Sequence, residues 1–131
     1  MGRLRTVMIV DDDPIYTFGA TRTMEIANFC DRYVIYKNGQ DALEFLIEAI
    51  QKDEDLPDAI FLDLNMPQMD GWEFLNELNK YKRKQSINIY IVSSSINPED
   101  LDRARRYDFV NSYIQKPITL EKLGELDKDI E

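Results

Sequence analysis

The sequence predicts an α/β protein built on a doubly wound, five-stranded parallel sheet. Short, mostly apolar runs alternate five times along the chain with amphipathic segments of helical spacing. Runs such as 7–10 and 59–62 are apolar at successive positions, which is typical of strands buried on both faces. Alternating strands and helices favour right-handed crossovers with helices on both sides of the sheet.

Each predicted strand is a β-rich run that ends at a charged, amide or turn-forming residue. Asn38-Gly39 ends the second strand, and Lys116-Pro117 ends the fifth. The five strands are expected at residues 5–10, 32–37, 59–62, 87–92 and 111–115.

Capping signals and helical spacing predict the five helices. Asp13 precedes Pro14 at the first helix, Asn97 precedes Pro98 at the fourth, and Thr119 caps the last. The second helix begins near Asp41 and the third at Gly71. Helical spacing also predicts which side chains face inward. In the second helix these are Ala42, Leu43, Phe45, Leu46, Ala49 and Ile50. In the third helix they are Trp72, Leu75 and Leu78, and in the fifth helix they are Leu120, Leu123, Leu126 and Ile130.

The composition indicates one acidic globular domain. The chain has 131 residues and a net charge of −9, so its surface repels nucleic acid and anionic membranes. No apolar run approaches the roughly 20 residues of a membrane span. The single cysteine, Cys30, excludes an internal disulfide, which favours a reducing, cytoplasmic setting. Cys30 itself is expected to be a small buried hydrophobic residue. The chain has no histidine to act as a base, metal ligand or phosphocarrier.

Polar side chains stand at the end of four predicted strands. In a doubly wound sheet the first and third strands are typically neighbours, and ligands bind beyond the carboxyl ends of the strands. Carboxylates from these two strands should therefore converge. The strand-end residues are Asp11, Asp12 and Asp13 after the first strand, Asp63 and Asn65 after the third, Ser93 to Ser95 after the fourth, and Lys116 after the fifth.

Clustered carboxylates repel one another, and a bound cation relieves that repulsion. Carboxylate and backbone oxygens with water suit a hard octahedral ion, for which Mg²⁺ is the common choice. If Asp11, Asp12 and Asp63 contribute about −3, the ion +2 and Lys116 +1, the site is near neutral and can accept a phosphoryl group of roughly −2. Ser93 can donate a hydrogen bond to it, and Asp63 can act as the nucleophile.

Taken one at a time, these residues have ordinary explanations. An acidic cluster suits a helix N-terminus, serines are common in loops, and a lysine before proline is usually a surface residue. Their joint placement at one end of one sheet favours a functional site.

Four motifs, IVDDDP, FLDLNMPQMDGW, IVSSS and YIQKP, occur in this order along the chain. Together they closely resemble the receiver domain of two-component response regulators, over about residues 5–130. The resemblance implies a flavodoxin-like (βα)5 fold with strand order 2-1-3-4-5. It also implies a single receiver domain spanning residues 1–131, with no output domain.

The resemblance implies a role for each matching residue. Asp63 matches the aspartate that is phosphorylated by a partner histidine kinase or histidine phosphotransfer protein. Asp11 and Asp12 match the acidic pair that holds Mg²⁺, to which Asn65 adds its main-chain carbonyl. Ser93 matches the switch hydroxyl, Lys116 matches the partner of the phosphoryl group, and Tyr113 matches an aromatic residue that swings inward.

The other matches concern the loops. Pro117 matches the proline that follows a usually cis peptide bond, and Asp70-Gly71 matches a structural turn. Asn65 and Ser95 match positions that tune the lifetime of the phosphoryl group.

The implied function is that of a phospho-accepting response regulator, which is not a free-turnover enzyme. Phosphorylation would alter the face formed by the fourth helix, fifth strand and fifth helix, and a separate protein or a second copy of the chain would bind that face. Alternatively, the phosphoryl group would pass onward in a phosphorelay. One alternative is a haloacid-dehalogenase-like phosphatase with Asp11 as nucleophile, although Ile15 replaces the expected Thr or Val and no acidic pair follows Lys116 in a strand. A second is a receiver fold that serves only as an interaction module.

Overall fold

The computed structural model describes residues 4–81 and 87–127, so the predicted inward residue Ile130 lies outside the described ranges. None of the helices within those ranges has the length and hydropathy to cross a bilayer. The elements are β1 (Leu4–Val10), α1 (Pro14–Ala27), β2 (Cys30–Tyr36), α2 (Gly39–Gln51), β3 (Ala59–Asp63), α3 (Gly71–Asn79), β4 (Ile89–Ser93), α4 (Pro98–Ala104), β5 (Val110–Gln115) and α5 (Leu120–Asp127).

The five strands form one parallel sheet in the order β2-β1-β3-β4-β5, as predicted. Every residue of β3 and β4 is buried, whereas the edge strands β2 and β5 are partly exposed. Side chains alternate between two apolar clusters. Met8 and Leu62 pack with α2 and α3 on one face, and Ile9 and Phe61 pack with α1 and α5 on the other.

Side-chain caps fix where the helices begin. The Asp13 carboxylate accepts hydrogen bonds from the backbone N–H groups of Ile15 and Tyr16 at the start of α1. Asp70 and Glu73 form a reciprocal capping box at the start of α3. The side chain of Asn38 caps α2, so this helix starts at Gly39, two residues before the predicted start. These caps hold the helix starts next to the carboxyl edge of the sheet.

Four predicted core positions were wrong. Leu120 is 50% exposed at the first residue of α5, where Leu123 and Leu126 take the buried positions. Phe45 is 42% exposed because it packs on Tyr36 of the edge strand β2, beyond which no described strand covers it. Trp72 is only half-buried, since Phe74 takes the inward position on α3. Cys30 begins β2 and is also half-buried.

Candidate functional site

The strand register brings the predicted site residues to one edge of the sheet. Val10 pairs with Leu62, so the next residues along each strand, Asp11 and Asp63, are neighbours. Asp63 in turn pairs with Val92, one residue before Ser93. In parallel strands these carboxyl ends point the same way.

Three carboxylates form the centre of this edge. Asp11, Asp12 and Asp63 each offer one oxygen, and these oxygens lie within 4.8 Å of one another. Asp11 and Asp63 are only 2% and 4% exposed, whereas Asp12 is exposed. Backbone N–H groups hold the two buried carboxylates: Asp13 donates to Asp11 Oδ1 at 2.9 Å, and Asn65 donates to Asp63 Oδ1 at 3.2 Å.

Lys116 places a positive charge between the two buried carboxylates. Its Nζ lies 3.0 Å from Asp11 Oδ2 and 3.7 Å from Asp63 Oδ1, and its side chain is 16% exposed. The backbone also ties it to β4, because Lys116 N–H donates to the Ser93 carbonyl at 2.8 Å. The Lys116–Pro117 peptide bond is cis, as the resemblance implied.

Ser93 and Tyr113 lie on the β4–β5 side of the site. Ser93 is buried, and its Oγ accepts a weak hydrogen bond from Ser95 N–H at 3.4 Å. Tyr113 is half-buried, and its hydroxyl lies 3.3 Å from both the Ser95 carbonyl and the Asp100 carboxylate on α4. These two contacts of the Tyr113 hydroxyl join β5 to α4 and to the loop before α4.

The loop after Asp63 is held by packing and by backbone hydrogen bonds. Leu64 and Met66 are buried, and Gly71 N–H closes the loop on the Leu64 carbonyl at 2.9 Å. A Cβ atom on Gly71 would lie 2.8 Å from Leu64 Cα and 3.0 Å from the Asp63 carbonyl oxygen. Gly71 is therefore required by this close backbone approach, which fixes the path of the chain directly after Asp63.

We expect Gly71→Ala to lower the free energy of unfolding by about 1–3 kcal/mol, since backbone atoms must move to admit the methyl group. Gly19→Ala is the matched control, because nothing lies within 4 Å of its added Cβ on the exposed side of α1. That control should raise stability by about 0.5–1 kcal/mol. Urea denaturation measures the change in the free energy of unfolding for each variant. Equal changes for Gly71→Ala and Gly19→Ala would show that the close approach of Gly71 to Leu64 does not exclude a side chain.

Burial and mutual repulsion disfavour the ionised form of both buried carboxyl groups. Burial raises the pKa of Asp63 to about 6, and the negative charge of Asp11 adds to this effect, while the Asn65 N–H and Lys116 act against it. Burial likewise raises the pKa of Asp11, opposed by the Asp13 N–H and by Lys116. Lys116 alone therefore compensates this negative charge only in part.

The three carboxylates fit a hard divalent cation. Asp11 Oδ2 is buried and, among the described residues, accepts no hydrogen bond, because its 3.0 Å approach to Lys116 lacks hydrogen-bond geometry. An octahedral Mg²⁺ with bonds of ~2.1 Å separates its ligand oxygens by about 3–4 Å. The three carboxylate oxygens all lie within 4.8 Å of one another, which is close to that spacing.

Sequence reasoning missed Tyr16, the third residue of α1. The Lys116 ammonium lies 4.3 Å from the centre of its ring. Its hydroxyl is buried and has no hydrogen-bond partner in the described part of the chain. Burial raises the pKa of the Tyr16 hydroxyl, and the charges of Asp11 and Asp63 raise it further. No motif marked this residue, because its place beside Lys116 depends on how α1 packs against the sheet.

Comparison with known proteins gives a consistent family match. Residues 7–126 match the family model of the response regulator receiver domain. The probable methanogenesis regulatory protein FilR2 of Methanothrix harundinacea is 29% identical over 124 residues, which cover 95% of this chain and 79% of that protein. The sensor histidine kinase CheAY of Helicobacter pylori is 34% identical over 91 residues, which cover 70% of this chain and 11% of the kinase.

The fold comparison agrees with the sequence comparison. The crystal structure of a two component response regulator from Cytophaga hutchinsonii superposes with a TM-score of 0.89 at 27% sequence identity. The superposition covers 98% of each chain.

Proposed function

This chain belongs to the response regulator receiver domain family, and on that premise we propose that Asp63 accepts a phosphoryl group from a phosphohistidine of a partner protein. The observation that carries the proposal is the convergence of Asp63 with Asp11, Asp12 and Lys116 at the carboxyl edge of the sheet. This chain has no histidine, so the phosphohistidine lies on another protein, which the family membership indicates is a histidine kinase or a histidine phosphotransfer protein.

In the proposed transfer, a carboxylate oxygen of Asp63 attacks phosphorus. A P–O bond forms, the P–N bond of the donor breaks, and the departing imidazole keeps the electron pair and takes up a proton. The Asn65 N–H and Lys116 both contact Asp63 Oδ1, so they hold the carboxylate in one orientation. Asp11, Asp12 and Asp63, with the main-chain carbonyl of Asn65, would hold Mg²⁺, which neutralises charge on the transferring group.

After transfer, Lys116 and Ser93 act on the new phosphoryl group. Lys116 offsets part of its charge, and the Ser93 hydroxyl donates a hydrogen bond to it. Movement of Ser93 would alter the loop that contacts Tyr113, whose hydroxyl contacts both Ser95 and Asp100. Repacking of Tyr113 would then shift the population of states of the α4–β5–α5 face. The net charge of −9 favours a protein rather than a nucleic acid as the reader of that face. The single cysteine fits a reducing, cytoplasmic setting.

The test is intact mass spectrometry after incubation with acetyl phosphate and Mg²⁺. We expect one phosphoryl adduct on the wild-type protein. The adduct should not form when EDTA is present from the start of the incubation, and it should be absent from Asp63→Asn. An adduct that persists undiminished in Asp63→Asn would contradict the assignment. Turnover of a phosphoester that needs Asp11 but not Asp63 would support the phosphatase alternative, and no adduct with any donor would favour an interaction module.

Trp72, the single tryptophan, should report the proposed movement of α4. The Arg103 guanidinium of α4 lies 4.4 Å from its ring centre, and Tyr107 stacks on it at 6.5 Å. Adduct formation should therefore change its fluorescence emission, and Arg103→Met should reduce that change. Arg105→Met is the control, because Arg105 is exposed and pairs with Asp102 on its own helix. Identical emission before and after phosphorylation would argue against movement at this contact.

A further inference from the structure

The ammonium group of Lys116 has a third neighbour besides its two carboxylates. Its Nζ lies 4.3 Å from the centre of the Tyr16 ring, within the range of a cation–π interaction. The Asp11 oxygen at 3.0 Å, the Asp63 oxygen at 3.7 Å and the aromatic face therefore surround the ammonium group.

The backbone of Tyr16 is held at the start of α1. Its N–H donates to the Asp13 carboxylate at 3.3 Å, so the cap of α1 sets its position. Its side chain packs against the apolar cluster between the sheet and helices α1 and α5. The aromatic face is thus fixed to the protein before Lys116 meets it.

We propose that Tyr16 is a positioning residue for phosphoryl transfer, whose ring face holds the Lys116 ammonium beside Asp63. This inference rests on the proposed function of Asp63. The closest partner of Lys116 is Asp11 at 3.0 Å, whereas Asp63 lies at 3.7 Å, so pairing with a phosphoryl group on Asp63 requires the ammonium to shift. Attraction to an aromatic face acts over the whole ring rather than at one atom, so the contact persists during such a shift.

The ring, rather than the hydroxyl group, is the part of Tyr16 that this role requires. The hydroxyl is buried and has no hydrogen-bond partner among residues 4–81 and 87–127. Tyr16→Phe keeps the aromatic face and removes that buried polar group, whereas Tyr16→Leu keeps apolar bulk and removes the aromatic face. The two variants therefore separate the cation–π contact from packing.

The first readout needs no phosphorylation. An aromatic ring shifts the resonances of nuclei over its face to high field, so the Lys116 Hε signals should lie upfield in NMR spectra of the metal-free protein. Lys116→Met identifies those signals by their loss. We expect the upfield shift to persist in Tyr16→Phe and to vanish in Tyr16→Leu. Loss of the shift in both variants, or retention in both, would overturn the proposal.

The second readout is the rate of phosphorylation by acetyl phosphate at saturating Mg²⁺. Tyr16→Leu should lower the maximal rate about two- to thirty-fold, with little change in the donor concentration at half-maximal rate, and Tyr16→Phe should stay near wild type. Tyr33→Leu is the matched control, since Tyr33 also packs at the margin of the same cluster but hydrogen-bonds Glu25. An equal loss of rate in Tyr33→Leu would indicate general damage to the cluster and overturn the proposal.

A double-mutant cycle ties the effect to the lysine. In a Lys116→Met background, Tyr16→Leu should cause no further loss of rate, because the group that it positions is absent. A full additional loss in that background would overturn the proposal. Failure of wild-type protein to form any adduct would instead count against the proposed function, and the NMR comparison would still decide whether Tyr16 holds Lys116.

Discussion

Asp63→Asn is expected to raise the free energy of unfolding of the metal-free protein by about 2–3 kcal/mol at pH 7, while it abolishes phosphorylation. Burial and the charge of Asp11 raise the pKa of Asp63 from 3.8 to about 6, so ionised Asp63 opposes folding. A difference of about two pKa units corresponds to about 3 kcal/mol. Asparagine has nearly the same shape and retains an acceptor for the Asn65 N–H, but it carries no charge.

The stability gain should depend on pH in a defined direction. Because the pKa of Asp63 is higher in the folded chain than in the unfolded chain, the folded chain binds this proton more tightly. The contribution of Asp63 is therefore favourable below about pH 4 and is lost as the pH rises to about 6. The difference between variant and wild type should be small at pH 4, grow between pH 4 and 6, and then level off.

Urea denaturation in EDTA at several pH values measures this difference. Asp55→Asn is the matched control, because it makes the same charge change at an exposed loop position and should alter stability by under about 0.5 kcal/mol. Added Mg²⁺ should reduce the advantage of Asp63→Asn, because the wild type gains the free energy of metal binding. A variant no more stable than wild type at pH 7 in EDTA would contradict the electrostatic account.

Lys116→Met is expected to have the opposite effect and to lower the free energy of unfolding of the metal-free protein by about 2–4 kcal/mol at pH 7. The substitution keeps an apolar stem of similar length but leaves Asp11 and Asp63 without their positive neighbour. Removing one member of a buried ion pair typically costs about 3–5 kcal/mol. The expected loss is somewhat smaller because the side chain of Lys116 is 16% exposed and because the carboxyl groups can take up protons.

Lys80→Met controls for the loss of a lysine charge. Lys80 pairs with Glu77 at 3.0 Å, but both side chains are exposed, so its loss should cost at most about 1 kcal/mol. Combining Lys116→Met with Asp63→Asn should recover most of the lost stability, since one unpaired charge is then gone. If denaturation shows equal losses for the two lysine variants, Lys116 does not compensate the buried carboxylates.

The sequence was sufficient to predict the sheet and the convergence of its strand-end residues. Parallel strands share one carboxyl edge, so Asp11, Asp63 and Lys116 could be placed together without knowledge of any side-chain contact. The predicted caps Asp13 and Asn97 also stand at the start of α1 and α4, because capping depends on local sequence.

Contacts between distant elements were not predictable in the same way. Tyr16 and Lys116 are far apart in sequence, and their contact depends on how α1 packs beside the end of β5. Helical spacing alone placed Phe45 in the core, but α2 covers an edge strand at that point, so the ring stays exposed. Gly71 was recognised as part of a turn, whereas its close approach to Leu64 became clear only with the loop in place.

The length of the acidic run before α1 is constrained as strictly as its charge. Asp11 is buried, Asp12 is exposed at the cluster, and Asp13 caps α1, so three identical neighbours occupy three different environments. Deletion of one aspartate would leave two residues for these three environments, so the aspartate before Pro14 would have to serve both the cluster and the cap, and α1 would start one residue earlier. Each helical residue turns the chain by about 100°, so such a deletion would rotate the Tyr16 side chain away from Lys116. The protein should therefore tolerate Asp13→Asn, which keeps the cap, far better than the loss or gain of one residue in this run.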